Sequence, residues 1–319
     1  MVDDGSDDET PAVARAVADH VLVTPHGPRG PAFARNSGAV IARAPVLLFV
    51  DADVVVAPTT LSGFAHLFAS QPDVAAAFGA YDETPGDRGF VSQYRNLLHH
   101  YVHRMNPGAA STFWAGCGAV RREAFLAVGG YDHRRYPRPQ IEDIELGYRL
   151  SSRAHRIVLA PGLQGKHLKR WTLANMLRTD FRDRSIPWMH LLLERGEVVA
   201  TDGPLNLRVR EKILTAASGL MLVVIALAAV LRDVRWLALG VATCLVIALG
   251  NLSMLRWFAA IRGLPFALRV VPMRVLFYLT SGFGAVCAVV SYPRRRPYAV
   301  LPPLVPSDDG ATVTGASHV

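Results

Sequence analysis

The pattern of apolar and polar positions divides this chain in two. Up to about residue 195 the apolar runs are short and punctuated by turn residues, whereas after residue 212 they are long enough to cross a bilayer. In the first part the strongest signal is the run Pro-Val-Leu-Leu-Phe-Val at residues 45–50, followed at once by Asp51-Ala-Asp53. Six apolar residues rich in β-formers are too short for a span, and they predict a central strand buried on both faces of a parallel sheet. Around it the pattern alternates. Residues 2–3 read as the end of a strand, and 10–19 as a helix with Thr10 as N-cap and Pro11 at its first position. A short strand at 21–23 and a Gly/Pro loop at 26–31 lead to a helix over 32–44. Beyond Asp53, helices are expected at 59–70 (Leu61, Phe64, Ala65 and Phe68 on one face) and 90–105 (Leu97, Leu98, Tyr101 and Val102 inward), with strands at 74–78 and 157–160. Strand and helix in alternation predict an α/β layer fold.

The second part reads as membrane helices. Residues 173–193 interleave Arg178, Arg182, Arg184 and Trp188 with Met176, Leu177, Phe181, Met189 and Leu192, the composition of an interfacial helix. Uncharged runs at 213–231 and 236–255 are each long enough to span. The run 266–290 is interrupted by Arg269, Pro272 and Arg274, so a third span is expected over 275–292 with the preceding part interfacial. The expected organisation is a catalytic-type domain at 1–195, a linker at 196–212, about three transmembrane or interfacial segments at 213–292, and a Pro-, Ser- and Gly-rich disordered tail at 293–319. With the first domain cytoplasmic, Arg208, Arg210, Lys212, Arg256, Arg262, Arg269 and Arg274 fall inside. Arg294, Arg295 and Arg296 then fall outside, against the positive-inside rule, which leaves a re-entrant or fourth segment open.

Composition adds two points. A net charge of +8 over 319 residues suits either nucleic acid or an anionic membrane surface, and the apolar runs decide for the membrane. The cysteines, Cys117, Cys244 and Cys287, are too few for a disulfide framework and read as small apolar fillers in a reducing compartment.

Candidate chemistry gathers at strand ends and one helix start. Asp51 and Asp53, two apart in an extended segment, are expected to face one hard cation or its water ligands at the carboxyl end of a strand, where α/β sheets bind ligands. His99, His100 and His103 lack nearby acids and are read as a solvated or headgroup-facing helix side. In Phe113-Trp-Ala-Gly-Cys-Gly118 two glycines allow close backbone approach to a ligand or a tight strand crossing. Glu142 and Asp143 fall at a predicted helix N-terminus, where the helix dipole favours their ionised forms. His167 follows an apolar strand and suits either a further metal ligand or a hydrogen bond at the sheet edge.

Five ordered motifs carry a resemblance. Val2-Asp-Asp-Gly-Ser6, Ala34-Arg-Asn-Ser-Gly38, Phe49-Val-Asp-Ala-Asp53, Gly116–Phe125 with Val128-Gly-Gly-Tyr-Asp132, and Glu142-Asp143 resemble family 2 glycosyltransferases of the GT-A fold over roughly residues 1–190. The resemblance implies an inverting transferase that takes a sugar from a nucleotide-diphosphate donor with Mg²⁺ or Mn²⁺, on a GT-A-type, mostly parallel sheet followed by a helical membrane domain. It implies that Asp3 accepts from the nucleobase, that Arg35 closes over base or phosphate, and that Asp51 and Asp53 serve ribose and the metal-diphosphate. Asp4, Arg170 and Trp171 join that donor set, His167 joins the metal set, and Asp143 is the base with Glu142 orienting it. Two departures stand out. The family places a strand and helix before Asp-Asp-Gly-Ser, so the codons upstream of Met1 are expected to encode them unless the chain is an impaired copy. Membrane-bound relatives carry Gln-x-x-Arg-Trp, where this chain has His167-Leu-Lys-Arg-Trp171. The expected function is sugar transfer to a lipid-linked or membrane-proximal acceptor at the cytoplasmic face of the cell membrane, without nucleic acid. The alternatives are a nucleotidyltransferase and a catalytically impaired transferase-like membrane protein.

Overall fold

The computed structural model describes residues 1–198, 209–294 and 300–305. They divide into two compact units, one built from residues up to Arg170 together with 300–305, the other running from Trp171 to Tyr298. The stretch 173–193, expected inside the catalytic domain, therefore packs with the hydrophobic helices.

In the first unit the elements are β1 (Val2–Asp3), α1 (Thr10–Val17), β2 (Leu22–Val23), α2 (Pro31–Ile41), β3 (Val46–Val50), β4 (Val54–Val56), α3 (Thr60–Ser70), β5 (Val74–Tyr81), α4 (Phe90–Arg104), β6 (Gly108–Ala110), β7 (Cys117–Arg121), α5 (Arg122–Ala127), α6 (Glu142–Ser152) and β8 (Arg156–His167). The α/β alternation is as the hydrophobic pattern predicts, with ends displaced by a few residues. One cap is corrected: Thr10 lies inside α1, and its N–H donates to the Asp8 carboxylate at 2.9 Å.

The sheet corrects the expected strand arrangement more substantially. Its order is β3-β7-β5-β8-β4, with β6 on β8, and β3 ends the row, half-buried and antiparallel to β7. Only β5 with β8, and the separate pair β1 with β2, run parallel. The fully buried central strand is β5, Val-Ala-Ala-Ala-Phe-Gly-Ala-Tyr, every residue of which is buried. Small side chains hide that centrality in the sequence, because alanines carry little hydrophobic signal yet let α4 and the neighbouring strands approach closely. One core side of the sheet gathers Leu47, Phe78, Phe113, Phe125, Leu146 and Ile157, the other Phe64, Phe68, Val74, Cys117 and Val158.

Two local devices fix the elements that later carry the chemistry. Asn36 on α2 grips the backbone of Tyr131 from both sides: its Nδ2 donates to the Tyr131 carbonyl and its Oδ1 accepts the Tyr131 N–H, each at 2.8 Å. Tyr131 follows Gly129 and Gly130, whose φ of +84° and +61° turn the chain into reach. The second is Gly147 on α6, where any Cβ would fall into the backbone of Thr112 and Phe113, so only glycine lets the helix seat there. The tail also departs from expectation. Residues 300–305 are docked, with the Leu304 N–H donating to the Leu126 carbonyl at 2.9 Å and its side chain on the core; the rest of the predicted tail, 306–319, lies outside the described residues.

The second unit comprises α7 (Leu173–Arg178), a π-helical turn (Thr179–Ser185), α8 (Ile186–Arg195), α9 (Val209–Leu231), α10 (Arg235–Gly250), α11 (Leu252–Arg262) and α12 (Leu264–Ser291). α9 and α12 are long and apolar enough to cross a membrane, and the pair α10–α11, bent by 71°, passes the same test together. Three expectations change here. The run 236–255 breaks at Asn251, whose Nδ2 returns to the Ile247 carbonyl at 2.8 Å while its Oδ1 accepts from Arg274 and Tyr278 at 3.1 Å each. The segment before residue 275 is not separate, since α12 is continuous through Pro272. Arg274, read as interfacial, is buried and paired with Glu211 at 3.2 Å. Of the expected linker, residues 199–208 lie outside the described residues.

Replacing Asn36 by alanine orphans two buried backbone groups of Tyr131. Each such loss is worth about 1–3 kcal/mol. Chemical denaturation of the full chain is expected to show the first unit destabilised by at least that much, with Asn36→Asp intermediate because it restores only the acceptor.

Candidate functional site

Four elements bring acidic and basic side chains to one end of the sheet. The turn between β3 and β4 carries Asp51 and Asp53, α2 carries Arg35, the N-terminus of α6 carries Glu142 and Asp143, and the end of β8 carries His167. Arg35 bridges two of them: its Nη2 donates to Asp51 Oδ1 at 2.6 Å and its Nη1 to Glu142 Oε1 at 3.0 Å. The guanidinium lies over the Tyr131 ring, 5.4 Å from its centroid, and Tyr131 in turn packs edge-on against Phe49 of β3 and Phe125 of α5. The Asn36 grip on Tyr131 thus sets the platform on which its neighbour in sequence, Arg35, sits.

The turn changes the expected relation of the two aspartates. Val54 N–H closes on Asp51 carbonyl at 3.0 Å, so residues 51–53 are folded and the carboxylates part. Asp51 goes to Arg35, while Asp53 Oδ2 lies 3.4 Å from His167 Nε2. Among the described residues no three His, Cys, Asp or Glu side chains converge as a metal cage. The set Asp51, Asp53 and His167 is therefore corrected to a pair, Asp53 with His167. That pair fits a divalent ion: cis ligands about 2.1 Å from one centre stand about 3 Å apart, close to the gap present. The hydrogen bond with His167 holds the Asp53 carboxyl below its ordinary range, aided by the charges of His167 and Lys169 and opposed by burial. His167 Nδ1 sits 2.5 Å from Asn96 Oδ1, and the ring is stacked on Tyr81 at 4.3 Å, so the imidazole is held with Nε2 toward Asp53.

Asp143 has a different environment. Its Oδ1 accepts from Ile144 N–H at 2.8 Å and its Oδ2 from Ala115 N–H at 3.4 Å, in the Trp-Ala-Gly segment whose Gly116 carbonyl takes the Asp51 N–H. Burial, then the Glu142 charge, push the Asp143 carboxyl up to about 7, against the pull of Arg35 and two backbone N–H groups. Arg35 pairs with Asp51 and Glu142 and leaves Asp143 without an ion pair of its own to Arg35. Glu142 itself is buried and also accepts from Gln140 N–H at 2.8 Å.

The first motif is turned largely to backbone. Asp3 accepts from Ser6 Oγ at 2.5 Å, and Asp4 takes the N–H groups of Arg29 and Gly30, tying down the loop that opens α2. Arg170 is exposed at the end of the first unit and Trp171 is buried at the start of the second. The Cys117 thiol is pushed up to about 11 by burial and by Asp51, which keeps it protonated as an apolar filler.

Sequence reasoning missed the histidine side of α4. His100 and His103 are buried, not solvated; their Nδ1 atoms lie 2.6 Å from the Tyr81 carbonyl and 2.8 Å from the Gly79 carbonyl of β5. His103 joins His99, Tyr81, Trp114 and His167 in a contiguous ring cluster that reaches the Asp53–His167 pair. The signal available was the carbonyl-rich, alanine-lined strand β5, whose bulges leave acceptors for side chains on the helix above it.

Residues 1–129 match the model of glycosyl transferase family 2. That match falls within the first unit and makes the protein a glycosyltransferase. No curated protein resembles the chain closely enough to count as a match. Three solved structures are similar in fold. The mannosyltransferase PcManGT from Pyrobaculum calidifontis, in complex with GDP-Man and Mn²⁺, is 19% identical, covers 92% of this chain and 76% of its own, and has a TM-score of 0.47. GalNAc-T7 with UDP, GalNAc and Mn²⁺ is 19% identical over 61% of this chain and 43% of its own, TM-score 0.40. S. aureus TarS 1–349 is 14% identical over 92% and 81%, TM-score 0.43.

The arrangement of the glycosyltransferase site makes a pH prediction. The Asp143 carboxyl, near 7, is ionised only above that pH, so if transfer needs it ionised kcat/KM is expected to rise through an acid limb in that region. Glu142→Gln removes the charge that raises it and moves the limb down, whereas Arg35→Met removes the opposing cation and moves it up, each by about one pH unit. A pH–rate profile of the three proteins checks both signs.

Proposed function

We propose that this glycosyltransferase moves a sugar from a nucleoside-diphosphate donor to a lipid-linked or membrane-proximal acceptor, with inversion and with Mg²⁺ or Mn²⁺. The observation that carries the reading is Asp143: a half-buried carboxylate with its proton affinity raised, oriented by the Ala115 and Ile144 N–H groups, beside a charge cluster in a unit that matches family 2. A weakly basic carboxylate of ordinary pKa takes a hydroxyl proton poorly, and raising it toward neutrality matches it to the task.

In this reading the acceptor hydroxyl loses its proton to an Asp143 oxygen as its oxygen bonds the anomeric carbon. The bond from that carbon to the diphosphate oxygen breaks on the opposite face, and its electron pair leaves with the diphosphate. One displacement gives inversion. Asp53 and His167 would hold the divalent ion, which neutralises charge on the leaving diphosphate. Arg35 keeps Glu142 and Asp51 in register, and Asp51 and Asp3 serve the nucleoside side, with Asp4 holding the loop that flanks them. The membrane-proximal acceptor is supported by the apolar helices of the second unit, and a cytoplasmic catalytic side by the basic residues that flank them.

Two measurements on the full chain in detergent test this. Calorimetry with UDP or GDP and Mn²⁺ is expected to show metal-dependent binding that Asp53→Ala abolishes and His167→Ala weakens. Asp143→Asn is expected to keep nucleotide affinity and lower transfer by about a hundredfold or more. Unchanged transfer in Asp143→Asn would remove that residue as base, and metal-independent binding in the unaltered chain would remove the metal.

A further inference from the structure

The chain leaves the first unit at Arg170 and re-enters it at residues 300–305, where Leu304 is bonded to Leu126 and packed on the core. A folded soluble unit occupies one side of a bilayer, so the chain between these points crosses an even number of times. Three stretches compete for two crossings: α9, the bent pair α10–α11, and α12.

We propose that α9 and α10 alone cross, as a hairpin, and that α11 and α12 lie in the plane of the leaflet from which the hairpin starts, the exposed apolar side chains of α12 entering its acyl chains. The proposal rests on the membrane association inferred above and adds the topology.

α9 and α10 are joined by the short turn at Arg232–Val234, and Gly240 of α10 faces Val224 and Ile225 of α9, as in an antiparallel pair. α9 is about 34 Å long; α10, at about 24 Å, is a short crossing that local thinning accommodates. The near end of this hairpin is marked by a buried polar knot. Glu211, in the first turn of α9, pairs with Arg274; Arg274 also donates to Asn251, just past the end of α10, and to Tyr278 Oη at 2.6 Å. Arg274 lies midway along α12, so the middle of α12 is at the depth where the hairpin begins and ends.

Its last turns are at a polar depth too. Phe283 stacks on Phe181 with centroids 5.4 Å apart, Gly284 abuts Ser185, and His190 Nε2 meets the Ala288 carbonyl and Ser291 Oγ at 3.1 and 3.0 Å. The segment making these contacts carries Asp180, Arg182, Asp183 and Arg184. A helix crossing outward from Arg274 would carry Ser291 about 25 Å deeper, away from any such segment. With middle and end at one depth, α12 runs along the interface.

The outward face of α12 then has a partner. Leu264 and Leu268 near the start of α12, four apart, and Phe283, Val286 and Val290 near its end, three and four apart, are exposed, and Arg256, Arg262 and Arg269 on α11 and α12 are exposed near the first of these groups. Apolar side chains with basic neighbours suit an acyl boundary under anionic headgroups. In this topology Arg294, Arg295 and Arg296 fall on the same side as Arg210 and Lys212, and the conflict with the positive-inside rule disappears.

The test uses the full chain in sealed vesicles of known orientation and a membrane-impermeant maleimide. Cys244 and Cys287 are replaced by alanine, and single cysteines are introduced as Asp233→Cys, Arg262→Cys and Ser317→Cys. The expected result is labelling of residue 233 from the side opposite the first unit, and of 262 and 317 from its own side. Labelling of 262 from the opposite side would make α12 a crossing and overturn the proposal while leaving the membrane reading intact. Labelling of 317 from the opposite side would overturn the even count. Labelling of 233 from the first unit's side would remove α9 as a crossing and overturn the proposal, and if 262 were labelled from that side too, the membrane-spanning reading would fall with it. Protease protection of a C-terminal epitope tag on the otherwise unaltered chain gives the same answer should the cysteine variants fail to fold: a tag cleaved together with the first unit is expected, and a tag protected while that unit is cleaved overturns the proposal.

Discussion

The catalytic unit depends on one largely buried cation held between two acids. Arg35 is fixed from below by the Tyr131 ring and from two sides by Asp51 and Glu142, which come from distant parts of the chain. Coulomb attraction at this burial is strong enough to align a turn and a helix start that share no backbone hydrogen bonds. Asp143, which Arg35 does not touch, is raised first by its own burial and then by the Glu142 charge.

The second unit repeats the principle with different partners. Glu211 and Arg274 are costly to bury singly, and together with Asn251 and Tyr278 they satisfy one another at the junction of three helices. Asn251 ends α10 because its side chain serves this cluster, which is why an apolar run continuing to residue 255 is broken at 250.

How much of this was legible follows from what sets each feature. The α/β order was readable because helices α2, α3 and α4 repeat apolar residues at helical spacing and strands punctuate them. Strand neighbours were not, because pairing is decided by long-range contacts: β3 is wholly apolar in sequence yet sits at the end of the row, and the alanine-rich β5 takes the centre. The acids of the site were found from motif and position, but not their partners, since a turn two residues long sends Asp51 and Asp53 apart. The histidines of α4 look polar in sequence and are buried because β5 offers carbonyls to meet them.

The docked segment at residues 300–305 bears on the order in which the protein is made. Leu304 fills a place against Leu126 and Gly130 in the core of a unit whose helices and strands all precede Trp171. During synthesis the ribosome delivers that unit first and its closing residue last, after every hydrophobic helix has emerged. The core of the first unit is therefore completed only when the hydrophobic helices have been translated, so a chain arrested among them carries an unfinished core.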